Sequence, residues 1–163
     1  MSCGYNVVLT LCNEEPKISH TTEIEAVVFN DIAALRLAVK DLQKAGVKCK
    51  LLEQATPRAY FSNQAGMGKA DYVLELSDSP YDVGFYPHSS GKGYTARTDL
   101  FMGSVCNILG AKATDKESPG QAALGRLNQA YALHATVRQA TLQGYKVGRS
   151  AATDGTIKLT LTI

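Results

Sequence analysis

Residues 20–52, HTTEIEAVVFNDIAALRLAVKDLQKAGVKCKLL, decide the fold class. Their first ten residues are rich in β-branched side chains and partly alternate, which predicts a strand. Asn30 or Asp31 then offers a short polar side chain to cap a helix. Ile32, Leu35, Val39 and Leu42 follow at helical spacing, and Gly46 stands where a C-terminal glycine belongs. VKCKLL alternates again, with Val47, Cys49 and Leu51 on one face. The segment therefore reads strand–helix–strand.

Outward from it, residues 53–69 carry turn chemistry and read as a loop around a short extended piece. ADYVLEL predicts a strand with Tyr72, Leu74 and Leu76 on one side. YDVGFYPH and GYTARTDLF form a hairpin joined by SSGKG, whose glycines flank Lys92 and suit a turn that needs positive φ. A short helical turn is expected at 105–109. Ser118, Pro119 and Gln121 then have the arrangement of a capping box opening a long helix. Leu124, Leu127, Tyr131, His134, Val137 and Thr141 share one face of that helix, which ends at Gly144. YKVGRS and TIKLTLTI read as a further hairpin around Asp154 and Gly155, and Tyr5–Leu11 as an early strand. The expected architecture is an α+β two-layer sandwich in one domain, 1–163: an antiparallel or mixed sheet with two main helices packed on one face.

Composition narrows the function classes. Apolar residues make up 45% and charged residues 20% of the 163, as in a globular domain with one core. Lys and Arg number 17 against 15 Asp and Glu, a net charge of +2 that argues against a dedicated polyanion binder. Cys3, Cys12, Cys49 and Cys106 lack paired spacing, and the start of the chain lacks the basic and apolar regions of an export signal. Both point to a cytoplasmic protein with reduced thiols. No apolar run approaches the length of a membrane span.

SHTTEIEAVVFNDIAALRLAVKDL, PRAYF, ADYVLEL, YDVGF, Tyr94, Asp99, LNQAYALHATVRQATLQGY and DGTIKLTL together resemble an uncharacterised family. It is typified by the hypothetical chloroplast reading frame thirty-five protein of plastids and cyanobacteria, with bacterial and phage relatives. In that likeness Ser19 and His20 match the family's opening Ser-His, so residues 1–18 become an N-terminal extension and 103–117 an insertion. DLF at 99–101 replaces the family's Asp-Trp-Trp. The resemblance brings no established activity.

Candidate site residues are few. Tyr131 and His134 lie three apart on the apolar helix face, where core residues with one hydrogen bond each are the preferred reading. The functional reading needs His20 or Asp99 beside His134. Asn128 and Arg138 occupy neighbouring helix positions. Arg58 and Tyr60 sit in a loop, and the Arg58 guanidinium suits an anionic or planar ligand group. HSSGKGYT lacks the spacing of a phosphate loop and reads as a turn. Three His and four Cys are scattered without metal-ligand pairs, and no nucleophile stands beside a base, so neither metal nor other cofactor is expected.

The expected function is thus a non-catalytic accessory or adaptor domain that recognises a protein partner or a small ligand. Its surface would comprise the loop at 55–69, the turn at 88–93 and residues 103–117, with a sheet edge available for strand addition or homo-oligomerisation. An alternative is an enzyme with a pocket around His134, His20, Arg58 and Asp99. A third is single-stranded nucleic-acid binding on a sheet face bearing Tyr81, Phe85 and Tyr94, which the charge disfavours.

Overall fold

A computed structural model describes residues 21–60, 67–111, 122–153 and 157–163, with side chains from residue 27 onward. The expected early strand, His20, the Ser118–Pro119 cap and the Asp154–Gly155 turn lie outside the described residues.

The opening is as predicted: strand β1 (Thr21–Phe29), helix α1 (Ile32–Lys44) and strand β2 (Cys49–Ala55). Asp31 is the cap, its carboxylate accepting the Ala34 N–H at 3.0 Å. The helix buries Ala34, Leu35, Ala38, Val39 and Leu42. Gly46, at φ +89°, turns the chain out of it.

Strands β3 (Ala70–Leu76), β4 (Val83–Pro87) and β5 (Tyr94–Asp99) form the expected meander. The sheet order is β1-β5-β4-β3-β2, and every pairing is antiparallel, so the sheet is not mixed. β1 and β2 are its two outer strands and run in the same direction. Their connection must therefore cross the whole sheet, which is why a helix fills it.

A 3-10 turn at Phe101–Gly103 leads into helix α2 (Ser104–Leu109), and helix α3 spans Gly125–Leu142. A turn at Leu124 separates this helix, which lacks a side-chain cap bond, from helical residues 122 and 123. Its stripe also differs at the end: Thr141 is exposed and Ala140 is buried. Nine residues on from Tyr131, at about 100° per residue, Ala140 lies on the opposite side of the helix, toward strand β6 (Lys146–Ala151). β6 pairs with β7 (Ile157–Thr162) as a separate two-stranded sheet.

Helices α1, α2 and α3 all contribute to one core. Phe29 meets the Phe85 ring edge-on at 5.1 Å and the Tyr131 ring at 4.7 Å, with Leu35, Leu74, Val105, Leu109 and Leu127 fully buried around them. Phe85 and Tyr81, assigned above to a base-stacking face, are 0% and 7% exposed and lie in this core. They are closed to a nucleic acid. The expectation of reduced thiols holds at Cys49, a free buried thiol pushed up in pKa by burial. It fails at Cys106, which is disulfide-bonded.

The other face of the sheet was expected to carry no layer, yet chain covers it. The Pro57 ring and the Tyr86 ring leave no room for a Cβ on Gly84, and Tyr86 Oη donates to the carbonyls of Met67 and Gly68. Met67 is fully buried there. Val73 and Tyr86 form a small second core beneath this cover with Leu52.

Candidate functional site

Strand alternation puts Asp82, Gly84 and Tyr86 of the β4 region, and Arg97 and Asp99 of β5, on the covered face. Asp82 and Asp99 are 3% and 2% exposed. Buried carboxylates are tolerated only when their oxygens accept hydrogen bonds. Both bind the segment that crosses the face.

Asp82 takes the Arg58 backbone N–H and Nε at 2.9 Å on one oxygen, and Arg58 Nη2 at 2.6 Å and the Leu76 N–H at 3.1 Å on the other. Arg58 Nη2 also donates to the Leu76 carbonyl at 2.8 Å. The fork expected to grasp a ligand is thus closed on Asp82, whose hydrogen bonds hold the guanidinium more firmly charged. Thr98 donates to the Asp82 carbonyl at 2.9 Å, tying the clamp to β5.

Asp99 holds the next turn. One oxygen accepts the Tyr60 N–H at 3.0 Å and the other the Phe101 N–H at 2.9 Å. The same carboxylate therefore fixes two separate chain segments, and the Tyr60 and Phe101 rings meet with centroids 4.9 Å apart. Tyr60 is 55% exposed, and Met102 beside them is 73% exposed. Met102 sits at φ +57°, a left-handed conformation that costs a non-glycine residue about 1–2 kcal/mol. Tyr81 lies beneath, its hydroxyl raised in pKa by burial first and then by the Asp99 charge. Exposed Tyr60 thus leans on the half-buried Phe101 ring, with the exposed Met102 next in the chain.

The α3 candidates lie elsewhere. Tyr131 is 6% exposed, and its hydroxyl accepts the Asp31 N–H at 3.1 Å. Arg138 Nε donates to the Asp31 carboxylate at 2.7 Å, and its hydrogen bond is the main cause that lowers the Asp31 pKa. His134 Nε2 meets Asp41 Oδ2 at 2.7 Å. Asn128 is half-buried one turn earlier. These pairs join α3 to α1. His134 bonds to Asp41, Arg58 to Asp82, and Asp99 to the Tyr60 and Phe101 N–H groups, and His20 is outside the described residues.

Two hollows lie on the surface of the described residues. One, of about 210 Å³, is lined by Asp41, Arg126, Gln129, Leu133, Arg149 and Ile157, between α1, α3 and the β6–β7 hairpin. The other, of about 620 Å³, lies open between Asn30 and the His88–Gly93 turn. His88 Nδ1 is spent on Ser90 at 2.7 Å, which shapes that turn from within. Among the described residues, no group of three or more His, Cys, Asp or Glu is placed to hold a metal ion, and no helix is long and apolar enough to cross a membrane.

Sequence reasoning found Arg58, Tyr60 and Asp99 but missed Asp82, Phe101 and Met102. The signal for Asp82 was an aspartate beside a strand otherwise buried on both faces. Nothing local marked Met102.

The family model described as "Protein of unknown function (DUF1257)" matches residues 41–160, and the chain belongs to that family. No curated protein and no solved structure matches the chain.

Proposed function

We propose that this member of the family is a non-catalytic accessory domain that docks a protein partner through Tyr60, Phe101 and Met102. The observation that carries this reading is the strain at Met102. A side chain held exposed in a costly backbone conformation, beside aromatics fixed by a buried carboxylate, contributes nothing evident to folding. Exposed aromatic and methionine side chains are the usual anchors of protein interfaces.

A photo-crosslinking residue at position 102, with another at exposed Lys40 as the control, tests it in the source cells. One reproducible partner from position 102 alone, lost on Tyr60→Ser, supports the reading; equal adducts from both positions sink it. Met102→Gly adds a second readout. It should relieve the strain and leave the protein as stable or more stable by up to about 1 kcal/mol, while removing the adduct partner's affinity.

The hollow at Asp41, Arg126 and Arg149 favours a second reading, a small anionic ligand. At about 210 Å³ it is smaller than the roughly 300–1,000 Å³ of ordinary ligand pockets. Native mass spectra of the freshly purified protein decide this: a retained small molecule supports it, and a bare chain counts against it.

Within the family, we propose that the chain resembles the hypothetical chloroplast reading frame thirty-five protein. The support is the set of segments from Ser19 to Leu161, with residues 1–18 as an extension and 103–117 as an insertion.

A further inference from the structure

IKLTLTI, residues 157–163, alternates apolar and polar side chains without a break. Its strand, β7, pairs with β6 from Lys146↔Thr162 to Ala151↔Ile157. Among the described residues no strand pairs with its other side. Leu142, Leu161 and Ile163 are large apolar side chains left in solvent around it, with Tyr145 38% exposed. A two-stranded sheet is marginal by itself, and a bare alternating strand is a template for another.

We propose that β7 pairs antiparallel with β7 of a second copy of this chain, about a two-fold axis at Thr160, to make a four-stranded sheet from two hairpins. That register opposes Ile157 to Ile163, Leu159 to Leu161 and Thr160 to itself. Lys158, the one charged residue of the segment, faces Thr162, so the two positive charges stay apart. All seven residues are paired, and apolar side chains meet apolar ones throughout. Centring the axis on Leu159 would pair only residues 157–161 and strand Ile163, the most exposed apolar side chain.

The charge pattern also favours a second copy over a foreign peptide, because the strand is complementary to itself residue by residue. Val147 and Leu159 point to the half-buried side of the hairpin, while Lys158 and Thr160 point to solvent. Substitution at Thr160 therefore disturbs the new pairing and leaves the helices untouched.

Sedimentation of the whole protein from micromolar to millimolar concentration tests this, with Thr160→Lys and Thr160→Glu, each checked for an unchanged melting curve. The wild type should dimerise. Each variant, opposing like charges across the axis, should dimerise roughly fivefold or more weakly, and an equal mixture of the two should regain wild-type affinity. A wild type that stays monomeric overturns the proposal and leaves the edge to another protein. So does a dimer that neither variant weakens, or a mixture that does not recover. Should the charged variants unfold, Thr160→Cys replaces them: mild oxidation should link two copies through that residue, and Lys158→Cys should link them much less. Equal linkage from both positions overturns the register.

Discussion

Arg58 and Asp82 are joined by three hydrogen bonds, two from the guanidinium and one from the Arg58 backbone N–H. The side chains are 48% and 4% exposed, so the carboxylate is buried and the cation lies at the surface. Removing the arginine leaves Asp82 with the backbone donors alone. Because Arg58 is half in water, Arg58→Ala should cost about 3 kcal/mol, the lower end for a broken buried pair. Urea denaturation measures it. Unchanged stability would return Arg58 to the role of a free ligand-binding fork.

Gly84 tests whether the loop truly covers the second face. A Cβ there would stand 2.7 Å from Tyr86 Cε2 and 2.9 Å from Pro57 Cγ. Gly84→Ala should destabilise by about 1–3 kcal/mol, the usual range for overpacking. Limited proteolysis should cut first within the 56–60 segment. A neutral substitution would mean that the segment does not rest on the sheet.

Tyr131 and His134 are expected to separate in their effects. Tyr131→Phe keeps the contact with Phe29 and loses one hydrogen bond, about 1 kcal/mol, whereas Tyr131→Ala should cost about 3–5 kcal/mol. His134→Ala removes a partly exposed contact with Asp41, so about 1 kcal/mol is expected. Thermal melts check all three. A His134→Ala protein that melts like wild type but loses a measurable activity would instead favour the enzyme alternative.

The Asp31–Arg138 pair carries a pH dependence. Hydrogen bonding to Arg138 holds the folded Asp31 carboxyl below its ordinary value of 3.8. The folded pKa is thus depressed, and the pair's stabilisation is full above the unfolded value and lost as pH falls through the folded one. Arg138→Ala should therefore be less stable than wild type at neutral pH, and the gap should narrow below pH 3.8. A gap that stays constant in acid would assign the loss to packing of the arginine stem.

Periodicity sufficed for the elements. The 3-4-3 spacing of Ile32, Leu35, Val39 and Leu42 fits only a helix, and Gly46, Gly91 and Gly93 stand at turns whose positive φ they alone take without strain. Such signals act over a few residues, and the sequence carries them whole. The stripe on α3 was legible for the same reason as far as Tyr131. It failed at Thr141, because β6 arrives on the far side of the helix and burial there depends on a partner distant in the chain.

The candidate site was half legible. Arg58, Tyr60 and Asp99 could be picked out as loop or strand-end polar residues, but their roles could not, since each role is set by the group it meets. Asp82 closes the Arg58 fork from 24 residues away, and Asp99 reaches Tyr60 across 39. Burying a carboxylate demands donors, and which backbone N–H groups supply them is decided only when the segment after β2 folds over the sheet.

By itself the sequence determined an α+β chain with a meander, a crossing helix and a second hairpin, because backbone propensity and side-chain period are local properties. Only the tertiary structure decided that the sheet is covered on both faces, that Tyr131 belongs to the core, and that Tyr60 meets the Phe101 ring. Those outcomes depend on desolvation and on hydrogen-bond pairing between segments far apart in the chain, which no local pattern encodes.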